Sequence, residues 1–335
     1  MEVFNPEELK KLYIPPAGSH KGQNGKLLVI GGSHLFHASF LWSLTIASRI
    51  VDMVFYSSVP ENNRIVAEAK REFRNGIVVP RDDLDRYAGE ADVIMIGPGM
   101  LRVDKSKVER RESKESHKGT TFFEGSQVKI KKLEEINSLE DEGEQAYYLT
   151  KYLLEKYPKK KWVIDAGALQ MMELEWLLQL DGRAVLTPHI GEFEGLRSKI
   201  KDSANSVGRQ KSKTPSKGGQ ANKNQKLEEQ VETFAKEYNC IVLLKGQEDV
   251  VCSKEKCIKV AGGNAGMTKG GTGDVLAGLV GALACNNDLW LSATAASYLN
   301  KRAGDCLFEK VGYYFNASDL ADEIPRVMAE LIAGN

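Results

Sequence analysis

Seven short runs of consecutive apolar residues recur along the chain: "KLLVIGG" (26–32), "DMVFYSS" (52–58), "GIVVP" (76–80), "DVIMIGPG" (92–99), "KKWVIDAG" (160–167), "RAVLTPH" (183–189) and "CIVLLKG" (240–246). Almost all close in Gly, Pro or Ser, and helix-length segments separate them. Continuous apolar strands of this kind predict a mainly parallel sheet covered on both faces. Ligands of such sheets lie beyond the carboxyl ends of the strands. The residues closing these runs are therefore expected to line one shared edge. Two stretches break the rhythm, at about 102–126 and 198–226, and both are rich in polar residues and poor in apolar ones. Such composition builds no core of its own, so both read as surface insertions, with "TTFF" docking part of the first on the body.

The remaining bounds come from composition. The 335 residues carry 46 basic and 46 acidic side chains, a balance that gives no reason to expect nucleic acid or an anionic membrane as partner. The basic insertion at 198–226 lacks the interleaved aromatics of a single-strand binder. No apolar run is long enough to span a bilayer, and "MEVFNPEELKKLYIPP" does not read as a signal peptide. Five scattered cysteines suit reduced thiols and a cytoplasmic location. Cys252 and Cys257 flank "SKEK" and face each other across a predicted hairpin. Two small hydrophobes is the favoured reading of that pair, with a disulfide as the alternative for a hyperthermophile.

The candidate chemistry sits in "NAGMTKGGTGDVLAG" (264–278), which brings five glycines to the start of an apolar helix. A helix N-terminus offers unpaired N–H groups and a positive dipole end. Gly270, Gly271 and Gly273 let the backbone approach an anion, and phosphate is the natural occupant. The spacing matches neither the Walker loop nor the dinucleotide fingerprint. Asp274 complements the dipole for about 0.3–1 kcal/mol, yet a carboxylate beside a phosphate repels it. It reads better as a base that takes a proton from a hydroxyl attacking the phosphoryl group.

"TKGGTGDVLAG" resembles the G-x-G-D loop of ribokinase-like proteins, in which the aspartate is the base and the loop amides form an anion hole. Within that superfamily the chain resembles the nucleotide-dependent NAD(P)H-hydrate dehydratases. "KGQNGKLLVIGGS", "IGPGM", "LTPHIGEFEGL", "LLKGQEDVV" and the tail "YLNKRAGDCLFEKVGYYFNASDLADEIP" match that pattern in order. The resemblance implies a single ribokinase-like three-layer α/β/α domain over 1–335, and a cytoplasmic homo-oligomer such as a tetramer. It also implies repair of hydrated NADH and NADPH at the expense of ADP or ATP with Mg2+. The pattern starts near residue 20, so the epimerase domain that many relatives carry in front is not expected.

Carried over residue by residue, the resemblance makes Asp274 the base and a substrate contact. Lys245, Gly246, Gln247, Glu248, Asp249, Gly271, Thr272 and Gly273 would hold the nucleotide. Ala38, Ser39, Gly99 and His189 would hold the hydrate, and Glu192 would organise magnesium through water. Three departures fall on the nicotinamide side. "GGSHLFHASFLW" lacks the usual Gly-Ala-Pro, which puts Ser39 where the contacting alanine stands. "DAGAL" (165–169) replaces "DADAL", and Leu101 stands where many relatives have glycine. A small-alcohol kinase of the same fold shares the loop and Asp274 but stops at the phosphate ester. A non-catalytic nucleotide-binding protein has no use for Asp274.

Overall fold

The computed structural model describes residues 1–37, 39–69, 75–116, 132–206 and 220–332. Ala38 and part of each of the two polar stretches, including "TTFF", lie outside them. Among the described residues ten strands form one sheet: β1 (Glu2–Val3), β2 (Lys26–Ile30), β3 (Met53–Ser57), β4 (Ile77–Val78), β5 (Val93–Ile96), β6 (Lys161–Ile164), β7 (Ala184–Leu186), β8 (Ile241–Leu244), β9 (Asp249–Cys252) and β10 (Cys257–Val260). Their order is β1-β10-β9-β8-β7-β6-β5-β2-β3-β4. From β8 to β4 neighbours run parallel, while β9 runs against both β8 and β10.

The seven apolar runs supply β2 to β8, and all of these strands except the edge strand β4 bury both of their faces. Leu27, Val29, Val93, Met95, Val163, Val185 and Leu243 point into one apolar layer. That layer is closed by the helices Ser39–Ala47, Thr272–Asn286, Leu289–Val311 and Ala317–Ile332. Their chain neighbours Leu28, Ile30, Ile94, Ile96, Ile164, Leu186 and Val242 point into the other layer. There they meet helices that include Glu142–Lys156, Ala166–Met171, Ile190–Ser206 and Gln220–Glu237. Period-two alternation with both sides apolar is the expected signature of a covered parallel sheet.

Three findings depart from the sequence reading. The stretch 102–126 contains a helix, Lys105–Ser116, and the ends of 198–226 continue the helices Ile190–Ser206 and Gln220–Glu237. Glu2–Val3 adds an edge strand beside β10, too short and too exposed to show as a pattern. Cys252 and Cys257 are disulfide-bonded, against the favoured reading of two free small side chains. They stand directly opposite in the antiparallel register with Cα atoms 4.1 Å apart, which brings the sulfurs within bonding reach.

Among the described residues no helix is long and apolar enough to cross a membrane. The helix Thr272–Asn286 is buried along most of its length, and its small residues explain how. A Cβ on Gly278 would meet Ser43 Cα at 2.5 Å, so this glycine lets the helix Ser39–Ala47 cross at backbone contact. Ser43 Oγ then donates to the Asp274 carbonyl at 2.7 Å, which fixes the first turn at that crossing.

Candidate active site

The 264–274 segment opens with a short helical turn, Ala265–Thr268, whose cap Asn264 accepts from Gly266 N at 2.9 Å. Lys269 donates to the carbonyls of Tyr313 and Phe315, which ties the segment to the chain beyond the Leu289–Val311 helix. Gly271 caps the next helix with φ at 95°, where a Cβ would lie 2.5 Å from the Trp42 ring. Only glycine meets both demands. Thr272 Oγ1 donates to the carbonyls of Met267 and Lys269 and closes the turn.

This segment separates two cavities at the carboxyl edge of the sheet. One, of about 480 Å³, is lined by Lys245, Gly246, Gln247 and Asp249 on one side and by Asn264, Met267, Thr272 and Gly273 on the other. The second, of about 550 Å³, is lined by Phe36, Ser39, Trp42, Gly99, Gln170, Gly271 and Asp274 among others. Successive residues entering a helix point about 100° apart, so Gly273 faces one cavity and Asp274 the other. A larger cavity of about 840 Å³ lies by Asp181, Gly182 and Asn239, before the amino ends of β7 and β8. It is on the wrong edge for a ligand of a parallel sheet.

Between the two cavities sits a charged cluster. Lys245 Nζ lies 3.1 Å from Asp165 Oδ1, and a Cβ on Gly273 would come within 3.4 Å of the same Nζ. Burial works against the charge on Lys245, but Asp165, Glu192 and Asp274 together raise its pKa. The carboxyl of Asp274 is pushed up to about 8, chiefly by burial, with Asp165 and Glu192 adding repulsion and Lys245 opposing it. Glu192 is buried with both oxygens engaged: Oε1 accepts from Gln170 Nε2 at 2.8 Å and Oε2 from His189 N at 2.9 Å. His189 Nδ1 accepts in return from Glu192 N at 3.2 Å. A bridge between His189 and Lys245 joins this turn to the end of β8.

Lys245, Gly246, Gln247, Asp249, Thr272 and Gly273 thus gather around the smaller cavity, and Ser39, Gly99 and Asp274 around the other. Gly271 lines the cavity of Asp274 rather than that of Gly273. Glu248 lines neither and approaches Lys259 at 4.0 Å. Asp249 builds the loop instead of reaching into space. Its Oδ1 accepts from Gly246 N at 2.9 Å and its Oδ2 from Ser297 Oγ at 2.7 Å, with Lys301 Nζ 3.2 Å away. Burial raises its pKa despite those partners. His189 lines neither cavity and its ring is exposed beside the cluster. Asp165, Gln170, Trp42, Lys301 and Asn300 were not singled out by sequence. Only Asp165, closing the apolar run "WVID", carried a usable signal.

Among the described residues, no three His, Cys, Asp or Glu side chains come together as a metal cage. A Mg2+ here would be held through water and phosphate oxygens, as that ion usually is. The carboxylates of Asp165, Glu192 and Asp274 around Lys245 suit such indirect contact.

A family model described as NAD(P)H-hydrate dehydratase matches residues 137–326. The ADP-dependent (S)-NAD(P)H-hydrate dehydratase of Nitrosopumilus maritimus is 31% identical over 323 residues, covering 96% of this chain and 94% of its own. The bifunctional NAD(P)H-hydrate repair enzyme of Methanocaldococcus jannaschii is 28% identical, and this chain spans about half (51%) of its length. Among solved structures, an ADP/ATP-dependent NAD(P)H-hydrate dehydratase from Bacillus subtilis superposes with a TM-score of 0.67 at 21% identity, over 98% of each chain. A ribokinase-like protein from Enterococcus faecalis gives 0.68 at 20% identity, over 98% of this chain and 96% of its own. Those two likenesses establish the ribokinase-like α/β/α fold. With a glycine turn parting two cavities, a raised carboxyl in its first helical turn and a full-length relative above thirty per cent identity, the chain belongs to the NAD(P)H-hydrate dehydratase family.

Proposed function

We propose that this protein dehydrates hydrated NADH and NADPH, restoring the dihydronicotinamides at the expense of ADP or ATP. The observation that carries the reading is the placement of Asp274. It lines one cavity while its neighbours Thr272 and Gly273 line the other with Lys245. A hydroxyl in the first cavity and a terminal phosphoryl group at the glycine turn would meet across this one residue. ADP is the donor named for the relatives from Nitrosopumilus maritimus and Cenarchaeum symbiosum, and it is our first choice here.

Asp274 accepts the proton of the ring hydroxyl, and a pKa near the working pH is what general-base catalysis favours. The hydroxyl oxygen bonds to the terminal phosphorus as the bond to the bridging oxygen breaks. Lys245 and the helix amide at Gly273 stabilise the phosphoryl oxygens. Magnesium supplies further charge neutralisation when bound. The ring nitrogen's lone pair then expels phosphate, and loss of a proton from the adjacent ring carbon completes the double bond.

A small-alcohol kinase would use the same residues and stop at the ester. Phosphorus NMR of a reaction of hydrated NADH with ADP separates the two. The dehydratase reading expects AMP and inorganic phosphate in equal amounts. A persistent phosphate ester with no inorganic phosphate contradicts it.

A further inference from the structure

The cavity of Asp274 has a charge problem that the chemistry above does not resolve. On the reading just proposed, its occupant is one half of a dinucleotide whose diphosphate carries two negative charges. Among the described residues the cavity's one acidic lining residue is Asp274, and Asp165 and Glu192 stand close enough behind it to repel further negative charge. The nearby cations are committed elsewhere. Lys245 pairs with Asp165, Lys301 with Asp249, and Lys269 with two backbone carbonyls. His37 is bonded to Asn62 and His34 to Glu142.

Arg102 is the exception. Among the described residues it is the one Lys or Arg lining this cavity, and its guanidinium has no hydrogen-bond or ion-pair partner. It is exposed and stands three residues beyond Gly99, at the carboxyl end of β5. Its backbone packs closely against a neighbouring helix there. The Arg102 carbonyl lies so close to Gly143, at the start of the helix Glu142–Lys156, that a Cβ on Gly143 would meet it at 2.7 Å. A free planar fork carried on this packed backbone suits bidentate capture of phosphate oxygens.

We propose that Arg102 anchors the diphosphate of the hydrated dinucleotide and so positions the nicotinamide half against Asp274. It is a positioning residue for the substrate and does not serve the phosphoryl donor, whose contacts line the other cavity. Arg102→Ala should raise the Kd and KM for hydrated NADH by about 10–100-fold, the usual worth of charge-assisted hydrogen bonds. The kcat and the KM for ADP should stay within about twofold. Arg102→Lys should restore part of the loss, since it returns the charge without the fork.

The test pairs the full dinucleotide with hydrated reduced nicotinamide riboside, which keeps the reacting ring and lacks the diphosphate. Equilibrium dialysis of both ligands against parent and Arg102→Ala should show a large loss for the first and none for the second. Equal losses for both ligands, or an unchanged Kd for hydrated NADH, overturn the proposal, as does a selective rise in the KM for ADP. A parent that binds hydrated NADH without turning it over contradicts the dehydratase reading instead, and the dialysis comparison still decides Arg102.

Discussion

Replacing Asp274 by Asn should abolish turnover and, at alkaline pH, make the protein more stable. The carboxyl titrates at about 8 in the folded chain against an ordinary value of 3.8. The folded state therefore holds this proton more tightly than the unfolded state. Stability from that preference is complete below about pH 4 and is lost progressively as pH rises through 8. Each unit of difference corresponds to about 1.4 kcal/mol, so ionising the group in place costs the fold at most roughly 5–6 kcal/mol. Asn keeps the size and the burial cost of a polar group and removes the charge. The net gain at pH 8–9 should be nearer about 1–3 kcal/mol, which for a chain of this size moves Tm by about 2–4 °C. Thermal unfolding of parent and Asp274→Asn at pH 4.5 and pH 8.5 reads this directly, the two pH values being chosen to bracket the titration. The expected pattern is near-equality at the lower pH and a more stable variant at the higher one. A difference that does not change with pH, or a variant less stable at pH 8.5, would refute the claim that Asp274 is held against its charge by burial and by Asp165 and Glu192.

The same group sets the pH profile: kcat/KM should climb tenfold per pH unit below about 8 and level off above it, and a flat profile from pH 6 to 9 would remove Asp274 as the base. Gly273→Val should weaken ADP binding far more than binding of the hydrate, because its side chain would enter the space beside Lys245 Nζ; calorimetric titration of each ligand tests it, and retained ADP affinity counts against the glycine turn as the phosphate cradle. Gly271→Ala should instead destabilise the whole fold by about 1–3 kcal/mol, through a left-handed φ and contact with Trp42, which urea unfolding would register. Lys301→Met strands the buried carboxylate of Asp249 and should cost about 3–5 kcal/mol at pH 8 and less at pH 5, because burial already raises that carboxyl's pKa and losing Lys301 raises it further. Denaturant midpoints at the two pH values check the sign.

The strands that carry the sheet were legible because each is apolar on both faces, as the paired layers of Leu27 and Leu28 or Val93 and Ile94 make plain. The helix Lys105–Ser116 was not, since its one firmly buried apolar residue is Val108 and its composition reads as solvated chain. The polar ends of Ile190–Ser206 and Gln220–Glu237 were misread for a related reason. Their anchoring residues, Phe193 and Leu196 in one and Val231 and Phe234 in the other, lie at the opposite ends. At the site, the glycine turn and Asp274 were visible as one contiguous pattern. The division of labour between Gly271 and Gly273 was not, because it depends on which side of the turn each neighbour packs. Asp165, Gln170 and Lys301 come from separate strand ends and helices, and only folding brings them to Lys245, Glu192 and Asp249. Asp249 shows the converse: a residue in the right loop whose oxygens are taken up in holding that loop together.

The central claim is that Asp274 joins a hydrated nicotinamide ring to a phosphoryl donor and that the ring is restored. The most direct measurement follows the dihydronicotinamide absorbance of purified hydrated NADH after adding the protein, Mg2+ and ADP, with Asp274→Asn and an ADP-free sample alongside. The account predicts full recovery of absorbance with the parent protein, one ADP consumed per ring restored, and no recovery in either control. Consumption of ADP without recovery of absorbance, or equal recovery with Asp274→Asn, would contradict it.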